Sequence, residues 1–242
     1  MEWYLRSAHN GYAPGMCNLG VLLLHGVGVE ADPAGAVEWF RKSAGAEHPR
    51  AMDLLGDCYL EGRGVEKDQE RAVELYQQAA GMEYPPAQCD LGLCYENGTG
   101  VAVDKLRAAQ LYRQAAERNY PPAMCNLGVC YLNGIGVSMD AKAAVEWFQR
   151  GAEVGSARAM SILGDCCLEG NGVKMDKARA LELYRQAVDA GYVPAQCALG
   201  LCYENGDGVE KDEAAAVECY CQAAEQGYAP AQCNLAYCYL TG

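Results

Sequence analysis

Asp53, Asp57 and Glu61 follow one another at four-residue intervals, and Asp165 and Glu169 repeat the interval. On a helix this spacing stacks carboxylates one turn apart along one face. Such a stack can hold a cation or present negative charge to a basic partner; its ordinary use is a solvated surface. Catalysis has less support. The three histidines, His9, His25 and His48, lie in or beside turns with no recurrent Ser or Cys partner, and no S-x-x-K motif occurs. Cys166-Cys167 is a local oddity that reads as repacking, because Cys167 stands where a Tyr recurs elsewhere.

The fourteen cysteines raise disulfide and metal chemistry. Most fall in C-x4-C pairs: Cys89/Cys94, Cys125/Cys130, Cys197/Cys202 and Cys233/Cys238. Five residues of helix rotate by about 140° and rise about 7.5 Å. The two side chains then diverge too far for a disulfide or a shared metal. Reduced, mostly buried thiols are expected, with no metal and no cofactor. The sequence Gly98-Thr99-Gly100 and its copies invite a phosphate-loop reading, but no strand precedes them and no third glycine opens the next helix. They read instead as left-handed helix caps.

The elements that carry these residues repeat. A Leu-Gly step falls at Gly20, Gly56, Gly92, Gly128, Gly164 and Gly200, with Ala236 in the seventh copy, at a constant interval of 36 residues. A period of this size marks a stacked repeat. Each unit holds two helices. Helix A (roughly residues 14–25 in the first copy) begins near a proline and carries a small residue, Leu, Gly and usually Tyr on one face. A mid-helix glycine costs about 1 kcal/mol against alanine, so close approach of a partner helix backbone is expected there. Asp32, Asp68, Asp104, Asp140, Asp176 and Asp212 each precede an apolar-periodic segment and read as N-caps of helix B. Within it Ala72, Leu75, Tyr76 and Ala79 form the apolar stripe. The chain opens inside a B helix, as Glu2-Trp3-Tyr4 matches Glu38-Trp39-Phe40, and ends after the seventh A helix. Residues 1–242 thus form a single array. A longer period of 108 residues relates Trp39 to Trp147 and QCDLGLCYENG at Gln88 to QCALGLCYENG at Gln196, a duplicated block of three repeats.

The unit A-x-x-x-L-G-x-x-Y-x-x-G-x-G-V-x-x-D, continuing to a paired aromatic and Ala-Ala, resembles the Sel1-like repeat, a relative of the tetratricopeptide repeat, along the whole chain. The resemblance implies an all-α fold: antiparallel helix pairs in a right-handed α-solenoid, with A helices lining a concave face. It implies an adaptor or scaffold for protein complexes. A cysteine-rich Helicobacter branch of the family has C-x7-C disulfides and has been linked to penicillin binding and β-lactam hydrolysis; no two cysteines here have that spacing.

The net charge of −13 argues against nucleic acid and anionic membranes, which recruit basic patches. No apolar run approaches the roughly 20 residues of a membrane span. No signal peptide is recognisable at the N-terminus, and with reduced cysteines this points to the cytoplasm. A secreted or periplasmic placement requires a leader outside these residues.

The leading expectation is a noncatalytic scaffold that binds a protein or peptide of basic character in an acidic concave groove. Counting from the central glycine, positions −3, −2, +1, +4 and +5 should border it. They supply Asp53, Asp57 and Glu61; Asp90, Glu96 and Asn97; Asn126 and Asn133; Asp165 and Glu169; Glu204 and Asn205; and Asn234. Cys89, Cys125, Cys197 and Cys233 share position −3, so accessible thiols are also expected there. Two alternatives are a β-lactam-processing enzyme and a structural unit assembling head to tail through Trp3 and Tyr4 at one end and Leu235 and Tyr239 at the other.

Overall fold

A computed structural model describes residues 2–241, and within them the chain is fourteen α-helices without a strand. The B helices are α1 (Glu2–His9), α3 (Pro33–Gly45), α5 (Gln69–Gly81), α7 (Lys105–Glu117), α9 (Ala141–Glu153), α11 (Lys177–Asp189) and α13 (Glu213–Glu225). The A helices are α2 (Ala13–His25), α4 (Pro49–Glu61), α6 (Pro85–Asn97), α8 (Pro121–Asn133), α10 (Ala157–Glu169), α12 (Val193–Asn205) and α14 (Ala229–Thr241). Contacts gather them into two compact units, residues 1–120 and 121–242. α2, α4, α6, α10 and α12 each pack on the B helix before and the B helix after, α8 packs on α9 and α14 on α13, and neighbouring A helices touch at α4–α6 and α8–α10.

Local chemistry sets the boundaries. Each of the six recurrent aspartates accepts a hydrogen bond from a backbone N–H in the first turn of its B helix, at 2.9–3.1 Å. Each of these bonds satisfies a donor that has no partner inside the helix. The two glycines of each turn have different tasks. Gly62, at φ 76°, ends α4 in the left-handed region. Gly64 has φ +71°, and a Cβ there would lie 2.1 Å from the carbonyl oxygen of Pro33, at the start of the preceding B helix.

The core is built around one aromatic residue per repeat. Phe40, Tyr76, Tyr112, Phe148, Tyr184 and Tyr220 are fully buried. Each removes about 150–250 Å² from water, roughly 4–6 kcal/mol gross at about 25 cal/mol per Å². These rings explain the mid-helix glycines and correct the expectation of a backbone approach. A Cβ on Gly92 would lie 2.6 Å from Cε1 of Tyr112. The glycine makes room for a ring from the B helix of its own repeat.

The cysteines are all free, and ten are buried. The accessible thiols expected at position −3 reduce to Cys233; Cys89, Cys125 and Cys197 are buried, with Ser156 against Cys125 and Asn234 against Cys197.

Candidate functional site

Four of the buried aromatics carry a hydroxyl, and a buried hydroxyl without a partner is costly. Tyr76 donates to Asp57 at 2.7 Å, Tyr112 to Glu96 at 2.7 Å, Tyr184 to Asp165 at 2.7 Å and Tyr220 to Glu204 at 2.6 Å. The acids stand at +1 (Asp57, Asp165) or +4 (Glu96, Glu204) from the central glycine, with leucine at the other position: Leu60, Leu168, Leu93 and Leu201. The shorter acid uses the nearer position and the longer acid the farther one. The two repeats with phenylalanine, Phe40 and Phe148, have no acid at either place; they carry Val21 and Leu24, and Val129 and Leu132. Four of the expected partner-binding acids thus also satisfy buried tyrosines. The matched Tyr/Phe and acid/apolar alternation was readable within the repeats.

The acids of the first unit converge further. Asp53 of α4 is 95% buried, at 5% exposure, instead of facing an open surface, and its Oδ1 receives no hydrogen bond. Its carboxyl lies near that of Asp90 on α6, close enough for the two to influence each other's charge. Burial, then the neighbouring Asp90 and Asp57, push Asp53 up to about 8. Burial and Asp57 push Asp90 up to about 7, while Asp53 opposes the rise. Both carboxyls are thus pushed toward the neutral form, Asp53 the more strongly. Positions 161 and 198, three repeats later, hold Ser161 and Ala198, so the pair belongs to the first block alone.

Beside this pair lies a cleft of about 300 Å³ between α4 and α6. Asp57, Glu61, Asp90 and Asn97 line it together with Leu60, Leu93 and Thr99. Burial also raises Asp57, against the hydrogen bond from Tyr76. Glu61 is exposed and pairs with Arg63 at 2.5 Å. Arg50 turns back along the A helices to Oδ1 of Asn18 at 3.1 Å. Four of the six candidates in the first unit meet in one cleft; Asp53 lies buried and Glu96 is held by Tyr112.

The second unit gives its candidates other neighbours. Asn126 accepts from Arg158 at 3.0 Å, the counterpart of Asn18 and Arg50. Asn234 donates to Sγ of Cys197 at 3.4 Å. Asn133, Glu169 and Asn205 are exposed in the last turns of α8, α10 and α12. Asp165 and Glu204 hold their tyrosines. Among the described residues no cluster of His, Cys, Asp and Glu has metal-binding geometry, and no helix is long and apolar enough to cross a membrane.

Sel1 repeats match residues 13–48, 49–84, 85–120, 121–156, 157–192, 193–228 and 229–242. The chain belongs to the Sel1 repeat family. A Sel1 repeat protein from Oxalobacter formigenes is 30% identical, with a TM-score of 0.82 over 88% of this chain and 85% of that one. A protective antigen of uropathogenic Escherichia coli strains is 33% identical, with a TM-score of 0.79 over 100% of this chain and 52% of that one. This Sel1 chain thus spans about half the length of the antigen. An immunity protein from Pseudomonas aeruginosa shares the fold at 22% identity, with a TM-score of 0.60 over 90% of this chain and 83% of that one. No curated protein matches the chain.

Proposed function

We propose that this Sel1 array is a noncatalytic interaction scaffold that takes a lysine or arginine of a protein partner into the acidic cleft between α4 and α6. One observation carries the reading: Asp57, Glu61 and Asp90 converge on a cleft of about 300 Å³, with the amide of Asn97 beside them. The upward displacement of Asp57 and Asp90, caused first by burial, supports a site that disfavours unbalanced negative charge. An entering ammonium or guanidinium would supply the missing cation, in partly buried surroundings where a charge pair is screened little. The remaining candidates, from Asn126 to Asn234, belong to the A helices of the second unit and would hold partner backbone through their amides.

Titration calorimetry with a short lysine- and arginine-rich peptide tests the proposal. Binding should weaken as salt rises and be lost in Glu61→Lys and in Asp90→Asn. Affinity unchanged by salt and by both substitutions would remove the cleft from the account. Nitrocefin turnover checks the β-lactam alternative, and none is expected. We also propose head-to-tail association through the exposed Trp3 of α1 and Tyr239 of α14, which light scattering over a concentration series measures with Tyr239→Glu as control. A reducing, cytoplasmic setting is part of the proposal, supported by the free and largely buried thiols.

A further inference from the structure

Most repeats carry a tyrosine three positions after the central glycine or its counterpart: Tyr59, Tyr95, Tyr131, Tyr203 and Tyr239. Tyr95 shows how it is held. Gln77, on the preceding B helix, donates Nε2 to its hydroxyl at 3.3 Å, and the guanidinium of Arg107, on the following B helix, lies 4.5 Å from the ring centroid. In the fifth repeat this residue is Cys167, yet the surroundings are those of a tyrosine. Gln149 precedes Cys167 by the same 18 residues that separate Gln77 from Tyr95, and Arg179 follows it by the same 12 that separate Arg107 from Tyr95. The backbone has not shifted to close the gap. Asp176 N–H donates to the Cys167 carbonyl at 2.8 Å, as Asp104 N–H does to the Tyr95 carbonyl at 2.9 Å. In place of the ring there is a cleft of about 740 Å³, whose walls include Gln149, Leu163, Cys167, Val173, Arg179 and Leu183.

We propose that the cleft over Cys167 is a binding site for a small hydroxylated aromatic molecule, whose ring takes the place that tyrosine fills in the sister repeats. Val173 and the rims of the nearly buried Leu163 and Cys167 supply the apolar part of the wall, and Glu153, Lys174 and Asp176 complete it with charge; apolar space left by a missing side chain can take up an aromatic molecule. Arg179 supplies a cation for the π face and Gln149 a hydrogen bond for the hydroxyl. Arg179 now pairs with Glu182 at 2.6 Å, an exposed contact worth little and readily exchanged. The pose also sets a size rule. In Tyr95 the carbon opposite the hydroxyl leads into α6, so in the ligand that carbon faces Cys167 and α10. Phenols with a bulky para group are excluded, which favours a free small molecule over a tyrosine side chain. Substituents at the meta position can leave through the open mouth.

The inference is independent of the acidic cleft on α4 and α6. NMR titration of the intact chain with phenol tests it, reading the methyls of Leu163 and Leu183 and the Nε–H of Arg179. Saturable shifts are expected. Cys167→Tyr, which restores the residue of the sister repeats, should weaken binding at least tenfold. Arg179→Ala, which leaves the cavity open, should weaken it severalfold with the remaining spectrum unchanged. Benzene, cyclohexanol and 4-tert-butylphenol should each bind more weakly than phenol. Absence of saturable shifts, phenol affinity unchanged in both variants, or 4-tert-butylphenol binding as tightly as phenol would overturn the proposal.

Discussion

Tyr184 gives its hydroxyl proton to Asp165 across 2.7 Å, joining the centre of a B helix to the A helix of the same repeat. Three repeats earlier Tyr76 and Asp57 make the same bond. The repeat just before has Phe148 in place of the tyrosine and Val129 in place of the aspartate. Asp165→Val should therefore cost about 1–3 kcal/mol by leaving the buried hydroxyl unpaired. Tyr184→Phe alone should cost about 0.5–1.5 kcal/mol. The double variant rebuilds the Phe148 arrangement and should be more stable than Asp165→Val alone. Urea unfolding of the four proteins closes the cycle. Strictly additive effects would deny the pair a structural role.

Asp53 should make stability depend on pH. An unfolded aspartate titrates near about 4, whereas folded Asp53 is held at about 8 by burial, Asp90 and Asp57. Arg50, on the same helix, opposes this, and Tyr84, Tyr120 and Cys17 also feel its charge. Between the two pH values the folded chain holds a proton that the unfolded chain has released. The stabilisation is complete below about pH 4 and is lost as pH rises through 8. Asp53→Asn keeps the size and polarity of the side chain without an ionisable group. Melting temperatures from pH 5 to 9 should fall in the parent and be flatter in the variant. Parallel curves would show that Asp53 is ordinary.

The period, the caps and the helix faces were legible because each repeat states them again. Six copies of Gly, Asp and Gly-x-Gly at fixed offsets leave little freedom in where the chain turns. The site was less legible because a residue's position on a helix does not say what lies across from it. Asp57 and Asp90 were recognisable as A-face acids, but their neighbours come from residues 19 positions later and 37 positions earlier, Tyr76 and Asp53. The carboxyl pair depends on α4 touching α6, a contact between repeats that no single unit contains.

The two classes of helical glycine should respond oppositely to alanine. Gly92 faces the Tyr112 ring, where a Cβ would stand 2.6 Å from carbon. Overpacking costs about 1–3 kcal/mol, more than the roughly 1 kcal/mol of helix propensity gained. Gly45 ends α3, and a Cβ there meets nothing within 4 Å. Gly92→Ala should lower the unfolding midpoint and Gly45→Ala should raise it slightly. A stabilising Gly92→Ala would mean that Tyr112 moves aside freely.

The turns from B helix to A helix offer a graded test of strain. Gly155, Gly191 and Gly227 have φ of 85°, 80° and 81° at a position where three other repeats place Glu47, Glu83 and Asn119, at 56°, 61° and 60°. A side chain in the left-handed region costs roughly 1–2 kcal/mol, with asparagine the tolerated exception. Glycine removes that cost but loses about 0.5–1 kcal/mol in chain entropy. Glu47→Gly should therefore stabilise by about 0.5–1 kcal/mol. Glu83→Gly should gain less, because Glu83 also pairs with Arg118 at 2.6 Å, a contact worth at most about 1 kcal/mol when exposed. Asn119→Gly should change little. Denaturant midpoints of the three variants measure the order, and a destabilising Glu47→Gly would show that this turn is not strained.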